Sequence, residues 1–162
     1  MQSLKIALRA SAAAAFALLA VQGSAFAGGP FTPMAGNWIG NGTIDLPSGT
    51  YERLHCRATY GVSPGGDNLT QTLRCASDSY QVDIESNVTE QGGQVSGTWT
   101  ETTRGATGTL SGVAHAGAIQ GTIAGTGFTA VLSLVTRGRT QLVSIRLNSA
   151  EIAGVTVNFR RL

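Results

Sequence analysis

From residue 36 onward the chain runs in short stretches of alternating apolar and polar residues, rich in Thr, Val and Ile and interrupted by glycine-containing turns about every ten residues. A period of two marks strands with one buried face and one wet face, and no segment after residue 27 carries helical periodicity. The pattern predicts ten strands, near 36–46, 51–62, 69–77, 80–90, 94–103, 106–115, 118–125, 128–136, 139–148 and 155–162. Connections this short join neighbours antiparallel, so the fold class is all-β, an up-and-down meander in one domain spanning 36–162.

The prediction can be checked against itself, because facing residues of a hairpin point to the same side of the sheet and the turn decides which residues face. A turn at Gly65-Gly66 sets Cys56 opposite Cys75 and so predicts a cross-strand disulfide. Further turns at Asp78-Ser79, Gly92-Gly93, Arg104-Gly105, Ala116-Gly117, Gly125-Thr126 and Gly138 gather Leu54, Leu73, Ile84, Trp99, Leu110, Ile123, Phe128, Leu132, Val143, Ile145 and Leu147 on one face. Thr70, Thr72, Thr98, Thr100, Thr107, Thr109, Ser111, Thr122, Thr129 and Thr140 fall on the other. An apolar inside with a hydroxyl-rich outside is the reverse of an outer-membrane barrel. In this register Gly97, Gly112, Gly121 and Ala130 stand side by side between bulky rows, which lets the sheet bend or leaves a slot against bare backbone.

Ahead of the strands, residues 1–27 read as a secretory signal, with Lys5 and Arg9 in front, an apolar stretch from Ala12 to Val21, and Ala25-Phe26-Ala27 at the cut. That stretch is shorter than the roughly 20 residues of a spanning helix, so no membrane span is expected in the mature chain. Residues 28–35 are expected as an extended N-terminal tail, and the destination as the periplasm, where a disulfide can persist. The leader also accounts for the charge. Of eleven cations, Lys5 and Arg9 belong to it, which leaves nine arginines against nine carboxylates in a neutral mature chain. Such a chain lacks the basic surface a nucleic-acid partner requires.

With ten strands, the last can pair with the first and close a barrel, bringing Arg160 and Arg161 to Trp38. The Gly36-Asn37-Trp38 segment followed by a closing C-terminal arginine resembles the calycins, meaning lipocalins, fatty-acid-binding proteins and avidins. The resemblance covers only those residues. It implies a small barrel that takes an apolar or amphipathic ligand inside, or engages a partner at its rim. Ala35-Gly36-Asn37-Trp38 is also similar to the A-G-x-W segment of bacterial periplasmic metalloprotease inhibitors. That likeness implies an envelope-protein partner, met by the tail from Gly28 to Pro33.

Candidate chemistry is sparse. His55 and His115 fall on the outer face of separate strands, and no nucleophile, metal-ligand or phosphate-loop motif is present, so neither catalysis nor a cofactor is expected. Inward polar residues are Tyr60, Gln71, Ser86, Glu101 and Gln141. The expected ligand site is Trp99, Glu101, Tyr60 and Gln71 beside Gly97, Gly112 and Gly121. Glu101 lies close to one rim and either reaches solvent through the open end or is enclosed among glycines, where it would need a donor and desolvation would raise its pKa until one binds. On the outside, Arg53 faces Asp78, and Arg57 faces Arg74, which in turn faces Asp83. The Arg57–Arg74 pair with His55 beside it is either a solvated ladder neutralised by Asp83 or an anion or partner site.

Overall fold

The computed structural model describes residues 28–162, so the signal segment lies outside the described residues. Ten strands follow in order: β1 (Gly36–Asp45), β2 (Tyr51–Val62), β3 (Asn68–Ala76), β4 (Gln81–Gln91), β5 (Gln94–Glu101), β6 (Ala106–His115), β7 (Ala118–Gly125), β8 (Phe128–Arg137), β9 (Thr140–Leu147) and β10 (Gly154–Arg161). Each pairs antiparallel with its chain neighbours, and β10 pairs with β1, closing the barrel without an edge. No described helix is long and apolar enough to cross a membrane.

The predicted faces hold around the barrel. Leu54, Leu110, Leu132 and Leu134 are buried inside, while the threonine ladder Thr98–Thr109 and its neighbours Ser111 and Thr122 are exposed. Cys56 faces Cys75 and the two are bonded, with Cα atoms 4.1 Å apart.

Facing partners agree with the sequence prediction across β2–β3, β3–β4, β4–β5 and β6–β7, and differ by two residues at three hairpins. Gly97 faces Leu110 and Trp99 faces Gly108, because the β5–β6 connection is a four-residue loop over 102–105 rather than a tight turn at Arg104-Gly105. Gly121 faces Leu132, since the β7–β8 turn is Thr126-Gly127, with Gly127 at φ +80°. Ala130 faces Leu147, since the β8–β9 turn is Gly138-Arg139, with Gly138 at φ +58°. These turns sit where glycine can take a left-handed conformation that other residues avoid. An even slip leaves every side chain on its own face.

The predicted row of Gly97, Gly112, Gly121 and Ala130 is therefore replaced by two glycine pairs, Gly112–Gly121 and Gly108–Gly125. A Cβ on Gly112 would stand 2.1 Å from the Gln120 carbonyl oxygen. That pair lets adjoining backbones close up where the sheet curves, and it leaves no slot.

Residues 28–35 are not an extended tail. Thr32–Met34 form a 3-10 turn, and Phe31 and Met34 are fully buried. The segment is stitched across one end of the barrel by Gly29 N–H to Gly65 O (2.8 Å), Phe31 N–H to Gly66 O (3.0 Å) and Gly117 N–H to Pro30 O (2.8 Å). Burying two large apolar side chains outweighs the freedom an exposed tail would keep.

Candidate functional site

The strand ends sort into two rims. At the plugged end, Trp38 is buried and its indole N–H donates to Met34 O at 2.8 Å. Arg161 faces Trp38 across β1–β10, lies 4.6 Å over the indole and donates to Pro33 O. Barrel closure thus falls to Arg161 by cation–π contact and hydrogen bonding. Arg160, the other expected closer, points outward opposite Ile39 and Thr140, because neighbours on a strand alternate faces.

Above the plug a chain of hydrogen bonds crosses the interior. Ser86 Oγ donates to Gln71 Oε1 (2.9 Å), Gln71 Nε2 to the Tyr60 hydroxyl (3.3 Å), Tyr60 to Gln141 Oε1 (2.9 Å), and Gln141 Nε2 to Thr136 Oγ1 (3.0 Å). Burial pushes the Tyr60 phenol well above its ordinary pKa, so it remains a neutral donor. Tyr60 and Gln71, expected as ligand contacts, are engaged with each other and with this chain. Gln141 and Thr136 complete it from the far side of the barrel, and sequence alone marked only Gln141 as an inward exception.

The opposite rim is open. Leu73, Ile84, Trp99, Ile123, Phe128, Val143, Ile145, Leu147 and Val155 all point inward yet remain partly accessible. Trp99 and Phe128 lean toward each other over Gly108 and Gly125, with ring centroids 5.9 Å apart and planes at 43°. A Cβ on Gly108 would come within 2.4 Å of the Trp99 ring, and one on Gly125 within 2.4 Å of Phe128. These glycines are the bed for two rings. The Trp99 indole N–H is shielded from solvent and has no acceptor among the described residues, an uncommon state for a buried donor.

Glu101 also departs from expectation. It is buried, 6% exposed, but the loop after β5 supplies its donors: Thr103 Oγ1 at 2.5 Å, Arg104 N–H at 2.7 Å, Asp83 N–H at 3.2 Å and Thr103 N–H at 3.3 Å. Led by the Thr103 hydroxyl and helped by these N–H groups, the site holds its pKa down to about 2 against the opposing pull of burial. The expected rise does not occur, and the carboxylate shapes the 102–105 loop. Glu52, at the same rim, accepts from Ser77 Oγ at 2.8 Å and Ser79 N–H at 3.1 Å.

On the outer wall a groove of about 420 Å³ runs over β1 to β4 and is lined by His55, Arg57, Arg74, Asn41, Gln81 and Asp83, among others. A second depression of about 250 Å³ lies beside Val131 and Arg146. The expected surface pairs are not made: among the described residues the one ion pair joins Arg104 to Glu101 at 3.8 Å. On the β3 side the ladder ends at His55–Ala76, so Asp78 lies beyond the strand and Arg53 makes no ion pair with it, and Asp83 faces Arg74 without bonding it.

No family model and no curated protein matches the sequence. Solved structures do match its shape. Rv2717c from M. tuberculosis superposes with a TM-score of 0.63 at 14% identity, covering 81% of this chain and 94% of that one. The S-type phycobiliprotein lyase CPES from Guillardia theta gives 0.60 at 6% identity, covering 82% and 90%. A DUF3598-family protein of unknown function from Nostoc punctiforme gives 0.55 at 12% identity, with 80% of this chain against 48% of that one. At such identities the likeness concerns the fold, and together with the closed ten-strand meander it fits a calycin-like barrel.

Proposed function

We propose that this protein is an exported, non-catalytic barrel that binds a small apolar or amphipathic molecule at its open mouth, against Trp99 and Phe128. The observation that carries this reading is the set of inward apolar side chains left partly wet at one rim, around an indole N–H without an acceptor. Apolar surface kept in contact with water is a standing driving force for a ligand. The carboxylates at this rim, Glu52 and Glu101, are occupied by neighbouring hydroxyl and N–H groups, which favours binding over acid–base chemistry. Export is supported by the leader pattern and by the formed disulfide.

The test is titration of the purified mature protein with the neutral fluorescent probe N-phenyl-1-naphthylamine, beside native mass spectrometry of protein taken from its own cell envelope. Saturable binding in the micromolar range, weakened at least about tenfold by Ile123→Glu, is expected. Absence of saturable binding, or equal affinity in the Ile123→Glu variant, would overturn the reading.

A further inference from the structure

Arg57 and Arg74 are directly opposed across β2–β3, and theirs is the one pairing of two cations in the described strand registers. Like charges face to face destabilise a sheet unless something neutralises them. The carboxylate placed to do so, Asp83, faces Arg74 in register yet forms no ion pair with it, and Arg57 forms none either.

The frame under the pair is rigid. Arg57 and Arg74 directly follow and precede the bonded cysteines, whose Cα atoms stand 4.1 Å apart, so the arginines occupy the adjacent, wider hydrogen-bonded pair. Roughly 5.5 Å of Cα separation there puts the two arginine side chains next to each other on one face. His55 lies one outward position along β2, its Nδ1 2.7 Å from the Asn41 side-chain oxygen, which orients the ring. All three line the 420 Å³ groove, together with the Gln81 amide.

We propose that this groove on the outer wall, distinct from the mouth, is a binding site for a phosphate-type oxyanion, with Arg57 and Arg74 as its bidentate donors. Two planar arginine forks carried on a crosslinked strand pair match the geometry of phosphate oxygens better than a flexible ammonium would. The anion supplies the negative charge that the like-charged pair lacks. The oxyanion belongs either to a soluble phosphate compound or to a lipid headgroup.

The experiment titrates the disulfide-intact mature protein with pyrophosphate in about 0.15 M salt, where surface charges beyond roughly 8 Å are screened, and follows the arginine side-chain resonances. A parallel arm sediments it with phosphatidylglycerol–phosphatidylcholine vesicles against phosphatidylcholine alone. A millimolar or tighter Kd for pyrophosphate, or retention on the anionic vesicles, is expected in at least one arm. Arg57→Gln and Arg74→Gln should each weaken it about tenfold or more, while Arg53→Gln and Arg146→Gln leave it unchanged. The arm that responds identifies the source of the oxyanion. No binding in either arm, or equal losses in all four variants, overturns the proposal. All four side chains are exposed, so the variants retain the fold, which a far-ultraviolet spectrum checks.

Discussion

The two ends of this barrel are made of the same alternating strands, and they finish in opposite states. At one end Phe31, Met34, Trp38, Tyr60, Phe159 and Gln141 are buried almost completely, every polar atom of the Tyr60–Gln141 chain has a partner, and residues 28–35 seal the floor. At the other end Trp99, Ile123, Phe128, Ile145 and Leu147 point inward but stay partly exposed. The difference teaches that strand alternation specifies an inside but does not specify that the inside is full. Filling one end took a segment from outside the meander. The end without such a segment keeps apolar wall in reach of water, and a binding site can exist there at no cost to the core below.

Truncation experiments should separate the two ends. Phe31→Ala removes a fully buried ring from the plug and is expected to cost about 3–5 kcal/mol in denaturant unfolding, whereas Phe128→Ala at the wet rim should cost less than half as much. Equal costs would mean that the mouth is as tightly packed as the floor. Next in size is the disulfide, which lies in the same belt as Phe159 and Gln141. Replacing Cys56 and Cys75 together by Ser frees a crosslink spanning 19 residues and should lower stability by about 2–4 kcal/mol, measurable as a drop in Tm.

A third substitution acts on the mouth alone. Gly108→Ala drives a methyl into the Trp99 ring and the Ala124 carbonyl, so it should cost about 1–3 kcal/mol and shift the Trp99 fluorescence while leaving the Trp38 environment intact. The smallest effect is expected at Glu101. Its folded pKa, near 2, lies below the ordinary carboxylate value, so the folded state binds fewer protons there than the unfolded state does. Its contribution is therefore complete above about pH 4.5 and is lost as the pH falls toward 2. Glu101→Gln should flatten the acid limb of the stability curve in that window by less than about 1 kcal/mol, given a carboxylate at the rim. An unchanged acid limb would show that the loop donors do not depend on the charge.

How much of this was legible in advance follows from the difference between parity and register. Trp99, Leu110 and Ile123 were placed on the inner face correctly, although their partners across β5–β6 and β7–β8 were wrong by two residues. The period of a strand is two, so an even slip is invisible to any hydrophobic pattern. What decided the slips was turn chemistry: the Glu101 carboxylate gathering the 102–105 loop, and Gly127 and Gly138 taking left-handed positions. The consequence reached the candidate site, since a slip of two carried Trp99 from Leu110 onto Gly108 and dissolved the expected glycine slot. Cys56–Cys75, by contrast, was readable because Gly65-Gly66 left little choice of turn.

The sequence by itself determined ten strands, their inner and outer faces, a balance of charge over residues 28–162, one disulfide and the closing role of a C-terminal arginine. These follow from period, charge and turn residues, all of which act over a few neighbours. Only the tertiary structure decided that Phe31 and Met34 plug one end, that Tyr60 and Gln71 belong to a chain reaching Gln141, and that Asp83 faces Arg74 without an ion pair. Those outcomes join residues 81 positions apart in the chain at Tyr60 and Gln141 and 128 apart at Pro33 and Arg161, and which of them meet depends on how the whole barrel curves and closes.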